Sequence, residues 1–513
     1  MKISTSFAAI AALTTACAFG DSGNLAADVR PDGTNDMTRA ILDAVARAKT
    51  KNSVVLAQGD YHFYAQSASK MDIYISNHDQ NLPRLVQLPL CGVGGRHGLT
   101  IRGAGDGAHF IFHGESTGIL VMDSERVALS NISLDWAQSP IGEARIASIE
   151  NGGAPKLEWV VRAFDGEGSA RMLWDAQTHA IKPNTGDGFS MSQAVPGDFI
   201  SYRSWTRPSP AICLYRARMT LLDNVVVHSA HGIGLLAQRS ENIAWRGGGV
   251  YPRNGCICST KADATHFSNC RGKISVTGAL FSGMMDDAIN VHSTCLRIVG
   301  KPSANKIRCR YMHPQAIGFE VFERGEKLRF IKARTLENGP VCTVESVERE
   351  NPTTIVLSLD ASGAAALADY DEGDAVENAD WQPSVVFSGN TVKNNRARAA
   401  LFTTPGKVVV TGNTFDHVSG SAILFAGDAA NWYESGACED VLISGNTFKD
   451  CLTSRYQFCT AVIAAAPTVQ DLAAQKTAYH RNIRVTDNTF TCPGAKLYDG
   501  VSVEGLVWEG NRE

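Results

Sequence analysis

The sequence predicts an all-β chain wound coil by coil as a β-solenoid, with two small antiparallel β modules inserted between coils. Three observations predict it. The segments Gly389-Asn390-Thr391-Val392, Gly412-Asn413-Thr414-Phe415, Gly445-Asn446-Thr447-Phe448 and Asp487-Asn488-Thr489-Phe490 repeat one pattern late in the chain. The sequence step is 23 from Asn390 to Asn413, then 33 to Asn446, 42 to Asn488 and again 23 to Asn511. A basic period of this kind, with loops added to some turns, is a solenoid signature. The 47 glycines suit a chain with many tight turns. Recurrent Asn predicts a ladder of stacked side-chain amides, and the Val or Phe two residues later predicts an interior stack.

Residues 1–18 read as a secretory signal: Lys2, an apolar run from Phe7 to Ala18, and an Ala16-Cys17-Ala18 cleavage site. The protein is therefore expected to be exported, periplasmic or secreted. A lipid anchor at Cys17 is the alternative, though Leu13 lies one position too far away for a good lipobox. No other stretch is apolar enough to span a membrane. Residues 19–139 are expected to form an N-terminal cap and the first coils. Asn35 or Asp36 can cap a helix with Met37, Ile41, Val45 and Ala48 on one face. Strands follow at Ser53–Leu56, Leu99–Ile101 and Val127–Leu129.

The intervals from Asn131 to Asn224 and from Ala279 to Asn390 far exceed the spacing of the late coils. Residues 140–210 and 296–380 are the predicted inserts, between coils at 211–295 and 381–513. Polar and apolar residues alternate in Lys327–Lys332 and Thr354–Ser358, as antiparallel strands require. The second insert leaves directly after an Asp-Asp strand and is expected to wall that corner. Twelve of the 13 cysteines lie beyond the signal. Most read as buried thiols with one or two bridges, the candidates being Cys256 or Cys258 with Cys270, and Cys451 with Cys459. No spacing resembles a zinc site, and no metal or cofactor is expected. The net charge of −4 has no basic excess, which excludes nucleic acid as a partner.

The chemistry centres on Gly283-Met-Met-Asp286-Asp287-Ala-Ile-Asn290-Val-His292. Val276–Val291 aligns without gaps on Val410–Phe425, which places the two acids at a coil corner. Neighbouring coils put His231-Gly232 and Ala397-Arg398 there, and Asp263 lies one basic period before Asp286. Three carboxylates on one face repel, raising one pKa, so that an acid and a base coexist at neutral pH. A calcium site would use the same carboxylates. Trp432-Tyr433-Glu434 offers aromatic faces and a carboxylate, either for a sugar or as a loop anchored by its own aromatics. The polar run Tyr74–Gln80, with Asn77 and Asp79, is either a solvated loop or part of the groove.

The chain resembles glycoside hydrolase family 110, exo-acting α-1,3-galactosidases of gut and marine bacteria. The resemblance spans nearly the whole mature chain. It is carried by Tyr74–Gln80, Ala262–Arg271, Met285–His292 and Gly427–Gly436. It implies a right-handed parallel β-helix with β-barrel insertions. It also implies removal of terminal α-1,3-linked galactose, as in blood group B or linear α-galactosyl glycans, with inversion. By motif, Asp286 would be the general acid, and Asp263 and Asp287 the pair that activates water. His266, His292, Arg398, Trp432, Glu434, Asn77 and Asp79 would hold the sugar. The expected partner is a glycan with terminal α-galactose; the oligomeric state is open, a homodimer being one option.

Two other classes fit such a solenoid. A polygalacturonase- or lyase-like enzyme on uronates would want a groove rich in Lys and Arg, whereas this corner is expected to offer mainly acids. A non-catalytic glycan-binding solenoid would use the aspartates for affinity alone. Fold does not separate these classes.

Overall fold

The computed structural model describes residues 27–48, 52–150, 153–166, 168, 170–185, 189–454 and 456–513. The signal reading of residues 1–18, including Cys17, lies outside them.

Each late coil is written in its sequence. Ser384–Ser388 is a strand, Gly389-Asn390 bends it, Thr391–Lys393 continues, and a turn leads to Ala400–Phe402 on the second sheet. Gly389 sits at φ 64°, a conformation that costs glycine nothing. The next coil repeats this in parallel register, Val385 on Val408, Val392 on Phe415 and Ala400 on Ile423. The coils thus build an 18-stranded parallel sheet and a 12-stranded sheet that is parallel except where Ser69–Met71 and Glu434–Ser435 join it antiparallel. Between them runs an apolar core in which Phe415, Phe448 and Phe490 stack at centroid distances of 5.0 and 4.7 Å. The amide ladder is present. Asn413 Oδ1 accepts from Asn390 N and Nδ2 at 2.9 and 3.1 Å, and the pattern continues through Asn446 and Asn488 to Asn511.

The N-terminal end is closed by the helix Thr38–Arg47, which buries Met37, Ile41, Ala44, Val45 and Ala48 against the first strands. Asp36 Oδ1 accepts from Thr38 N at 2.8 Å at its start.

The two inserts differ. The second forms a closed antiparallel barrel from six strands between Leu296 and Asn378, around its own core. The first is a four-stranded antiparallel sheet from Gly142 to Arg203, with Pro155–Val161 and Ala170–Trp174 as its edges; among the described residues it does not close. The expected bridges are absent: the twelve described cysteines are free thiols, and Cys451 lies against Cys492, whose Sγ accepts from Cys451 N at 3.4 Å, rather than against Cys459.

Candidate active site

The strands Thr265–Ser268, Ile289–Thr294 and Ala400–Phe402 stack with Thr265, Ile289 and Ala400 in register. Two residues before each lie Asp263, Asp287 and Arg398. The step from Thr265 to Ile289 is one residue longer than the basic period, so Asp263 sits under Asp287 and not under Asp286 as that period predicts. The extra residue brings all three acids to one place. Asp287 N donates to Asp263 Oδ1 at 3.3 Å, and one oxygen from each of Asp263, Asp286 and Asp287 lies within 4.8 Å of the others.

These acids line a cavity of about 250 Å³ with Asn77, Trp205, Arg207, Asn290, Gln315, Arg396, Arg398, Trp432, Glu434 and Tyr456. That volume is ample for one sugar residue. Both insert regions contribute. Trp205 and Arg207 follow the first insert's last strand, and Gln315 belongs to the second.

Guanidinium groups answer the carboxylates. Arg207 Nη2 donates to Asp286 Oδ2 at 2.6 Å; Arg398 Nη2 and N donate to Asp287 Oδ2 and Oδ1 at 2.8 and 3.0 Å. The corner is thus not mainly acidic. Three arginines share it, two of them engaged with Asp286 and Asp287. Burial alone would raise Asp286, but Arg207, Arg398, Arg396 and Arg203 outweigh it and hold its carboxyl below its ordinary value. Burial and the Asp286 charge push Asp263 up to about 8. Burial also pushes Asp287 well up, the neighbouring acids adding to it and Arg398 opposing. The resting pocket therefore keeps Asp286 ionised and stores protons on its neighbours. Asp286 Oδ1 and Asn290 Oδ1 are buried without a hydrogen-bond partner among the described residues, so two acceptors face the cavity open to a ligand.

Among the residues expected to hold sugar, Asn77, Arg398, Trp432 and Glu434 line the cavity. Asn77 Nδ2 donates to Glu434 Oε1 at 3.1 Å. Trp432 stacks on His313 with centroids 3.9 Å apart, while Tyr433 is a core residue, so the aromatic pair divides between pocket and anchor. Asp428 builds that loop, accepting from the backbone N–H groups of residues 430 to 433 at 2.6 to 3.1 Å.

His266, His292 and Asp79 stand behind the wall instead. Asp79 accepts from Arg207 N and Gln315 Nε2 at 2.7 and 2.8 Å, so its oxygens position the arginine rather than a sugar. His266 spends both ring nitrogens on Asp263 and His292. His231, assigned to this corner by register, packs against Trp136 and Phe164. Sequence reasoning missed Arg207, Arg396, Trp205 and Tyr456, which carry no periodic signal. It also passed over Asn290, although that residue lies within the Asp-Asp segment.

A parallel β-helix that presents clustered carboxylates in a one-sugar cavity is the architecture of a carbohydrate-active hydrolase. The chain is 41% identical to alpha-1,3-galactosidase B of Akkermansia muciniphila, over 94% of this chain and 64% of that one. It is 35% identical to alpha-1,3-galactosidase B of Parabacteroides distasonis (94% and 85% covered) and 34% identical to that of Phocaeicola vulgatus (96% and 90% covered). Residues 306–394 match the GLAA-B beta-barrel domain II family. The chain belongs to the bacterial α-1,3-galactosidase family, glycoside hydrolase family 110. It spans just under two thirds of the Akkermansia relative.

Proposed function

We propose that the protein is an exported exo-glycosidase that removes terminal α-1,3-linked galactose, from blood group B or linear α-galactosyl glycans, with inversion. The observation that carries this reading is the cluster of Asp263, Asp286 and Asp287 in a cavity the size of one sugar. Membership of a family whose relatives bear the name alpha-1,3-galactosidase supports the substrate.

Asp286 protonates the glycosidic oxygen, and Asp263 and Asp287, facing one spot from adjacent coils, take the proton of the attacking water. Inversion needs room for that water, usually about 6.5–9.5 Å between carboxyl groups. Here single oxygens of the three lie within 4.8 Å of one another, a measure between atoms and not between carboxyl groups. Because Asp286 rests ionised, its proton comes from Asp287, across at most 4.8 Å. Asn77, Glu434, Arg398 and Trp432 hold the galactose.

Proton NMR of an α-1,3-galactosyl oligosaccharide digest tests this. Early β-galactose, lost in Asp286→Asn, is expected; early α-galactose would remove the water-activating role. Release from uronates and not from galactosides would move the protein to the other hydrolase class, for which the arginines would be the cause.

A further inference from the structure

A carboxyl that rests protonated cannot serve as a base, and Asp263 is such a carboxyl. The atoms behind it supply an exit for its proton. His292 Nδ1 lies 2.9 Å from the Ser293 carbonyl oxygen, which can only accept, so Nδ1 carries hydrogen. In the neutral ring Nε2 is then bare. It sits 2.7 Å from His266 Nε2, which must therefore be the donor. That leaves Nδ1 of a neutral His266 bare, 2.6 Å from Asp263 Oδ2, so this oxygen carries the hydrogen. Burial keeps both rings neutral, lowering His266 to about 4 and His292 in the same direction. One backbone carbonyl thus sets the direction of every hydrogen bond out to Asp263.

We propose that Asp263, His266 and His292 form a proton relay that converts Asp263 into the base. The Asp263 O–H bond breaks as His266 Nδ1–H forms, and His266 Nε2–H breaks as His292 Nε2–H forms. Asp263 becomes a carboxylate, and His292 an imidazolium with Glu434 Oε1 at 3.4 Å to receive its charge. No proton enters or leaves: the water's proton, taken up by Asp263, passes to Asp287, which gave its own to Asp286, and the relay then runs back to Asp263. The titratable and charged groups facing it are Asp286, Asp287, Glu434, Arg207 and Arg398; the neighbouring rings are His78, which burial holds neutral, and His313. His266 and His292 are positioning residues here, acting through Asp263. The relay rests on the hydrolase reading above.

Two measurements test it on the full chain. Nitrogen-15 NMR of the wild type near pH 7 should show His266 protonated at Nε2 only and His292 at Nδ1 only. In His292→Gln the side chain can accept from His266 but cannot take up a proton. Its kcat on an α-1,3-galactosyl oligosaccharide near pH 6 should fall about 100-fold with KM little changed. It should recover as pH rises past about 8, where Asp263 yields its proton to solvent. A pH profile of unchanged shape with a raised KM would overturn the relay and make His292 a sugar contact. So would His266 protonated at Nδ1 in the resting wild type, a test that needs no variant to fold. Failure of the hydrolase reading is distinct, appearing as a wild type that releases no galactose.

Discussion

Two edges of the same coils obey opposite rules. At the bend, Asn390, Asn413, Asn446, Asn488 and Asn511 repeat one residue, and each amide is answered by its copy in the next coil. At the corner, successive coils place Asp263, Asp287 and Arg398, and each charge is answered by something different. Repetition of a neutral amide satisfies buried donors and acceptors without any charge to desolvate. Breaking the repetition gathers unlike charges in a buried place, where they perturb one another. The first edge holds the solenoid together; the second makes it reactive.

The largest expected break in this contrast is Asp286→Asn, which should lower kcat per folded molecule by about a thousandfold, while the loss of Arg207's buried partner costs stability as well. Asn446→Ala should cost stability alone. It removes an acceptor for two donors of Asn413 and a donor to the Val410 carbonyl. A loss of about 3 kcal/mol in a denaturant titration is expected, with kcat per folded molecule within about twofold. If both variants lost kcat per folded molecule to a similar extent, the two edges would not be separable.

Asp263→Asn sharpens the contrast through pH. The folded chain keeps a proton on Asp263 that the unfolded chain releases. This contribution to stability is complete below an ordinary carboxyl value of 3.8 and is lost as pH rises through about 8. Melting temperatures of the wild type should therefore fall between these values, and the variant's fall should be shallower, Asp287 supplying the remaining slope. A ladder variant such as Asn446→Ala should keep the full wild-type slope. The smallest effect is expected at the ladder's end. Asn511→Ala removes an acceptor for two Asn488 donors and a donor to the Val485 carbonyl, but the site is partly exposed and water can replace them, so about 1 kcal/mol is expected from the same titration.

Much of this was legible in the sequence because it is local and periodic. The Asn ladder, the Phe stack, the helix at Thr38–Arg47 and the gap-free alignment of Val276–Val291 on Val410–Phe425 all follow from which residues recur at which interval. Val276 and Val410 do stack on the same intermediate residue, Phe387. The inserts were legible as interruptions, but strand alternation does not say whether a sheet closes. Closure depends on strand number and stagger, and among the described residues only the second insert closes. The single extra residue in the coil from Thr265 to Ile289 likewise decided which acid Asp263 sits beneath.

The sequence by itself determined the solenoid, its Asn-lined bend and the placing of acids at one corner, since each depends on residues within a coil or two. The tertiary structure alone decided which charges meet. Arg207 reaches Asp286 across 79 residues, and Asn77 reaches Glu434 across 357. A periodic pattern predicts the neighbours of the next coil, but it carries no signal for side chains that inserts and loops return to the pocket from far along the chain. At Asp286 those distant arginines outweigh burial and hold the carboxyl down, whereas at Asp263 and Asp287 burial and the neighbouring acids win and the carboxyls are raised.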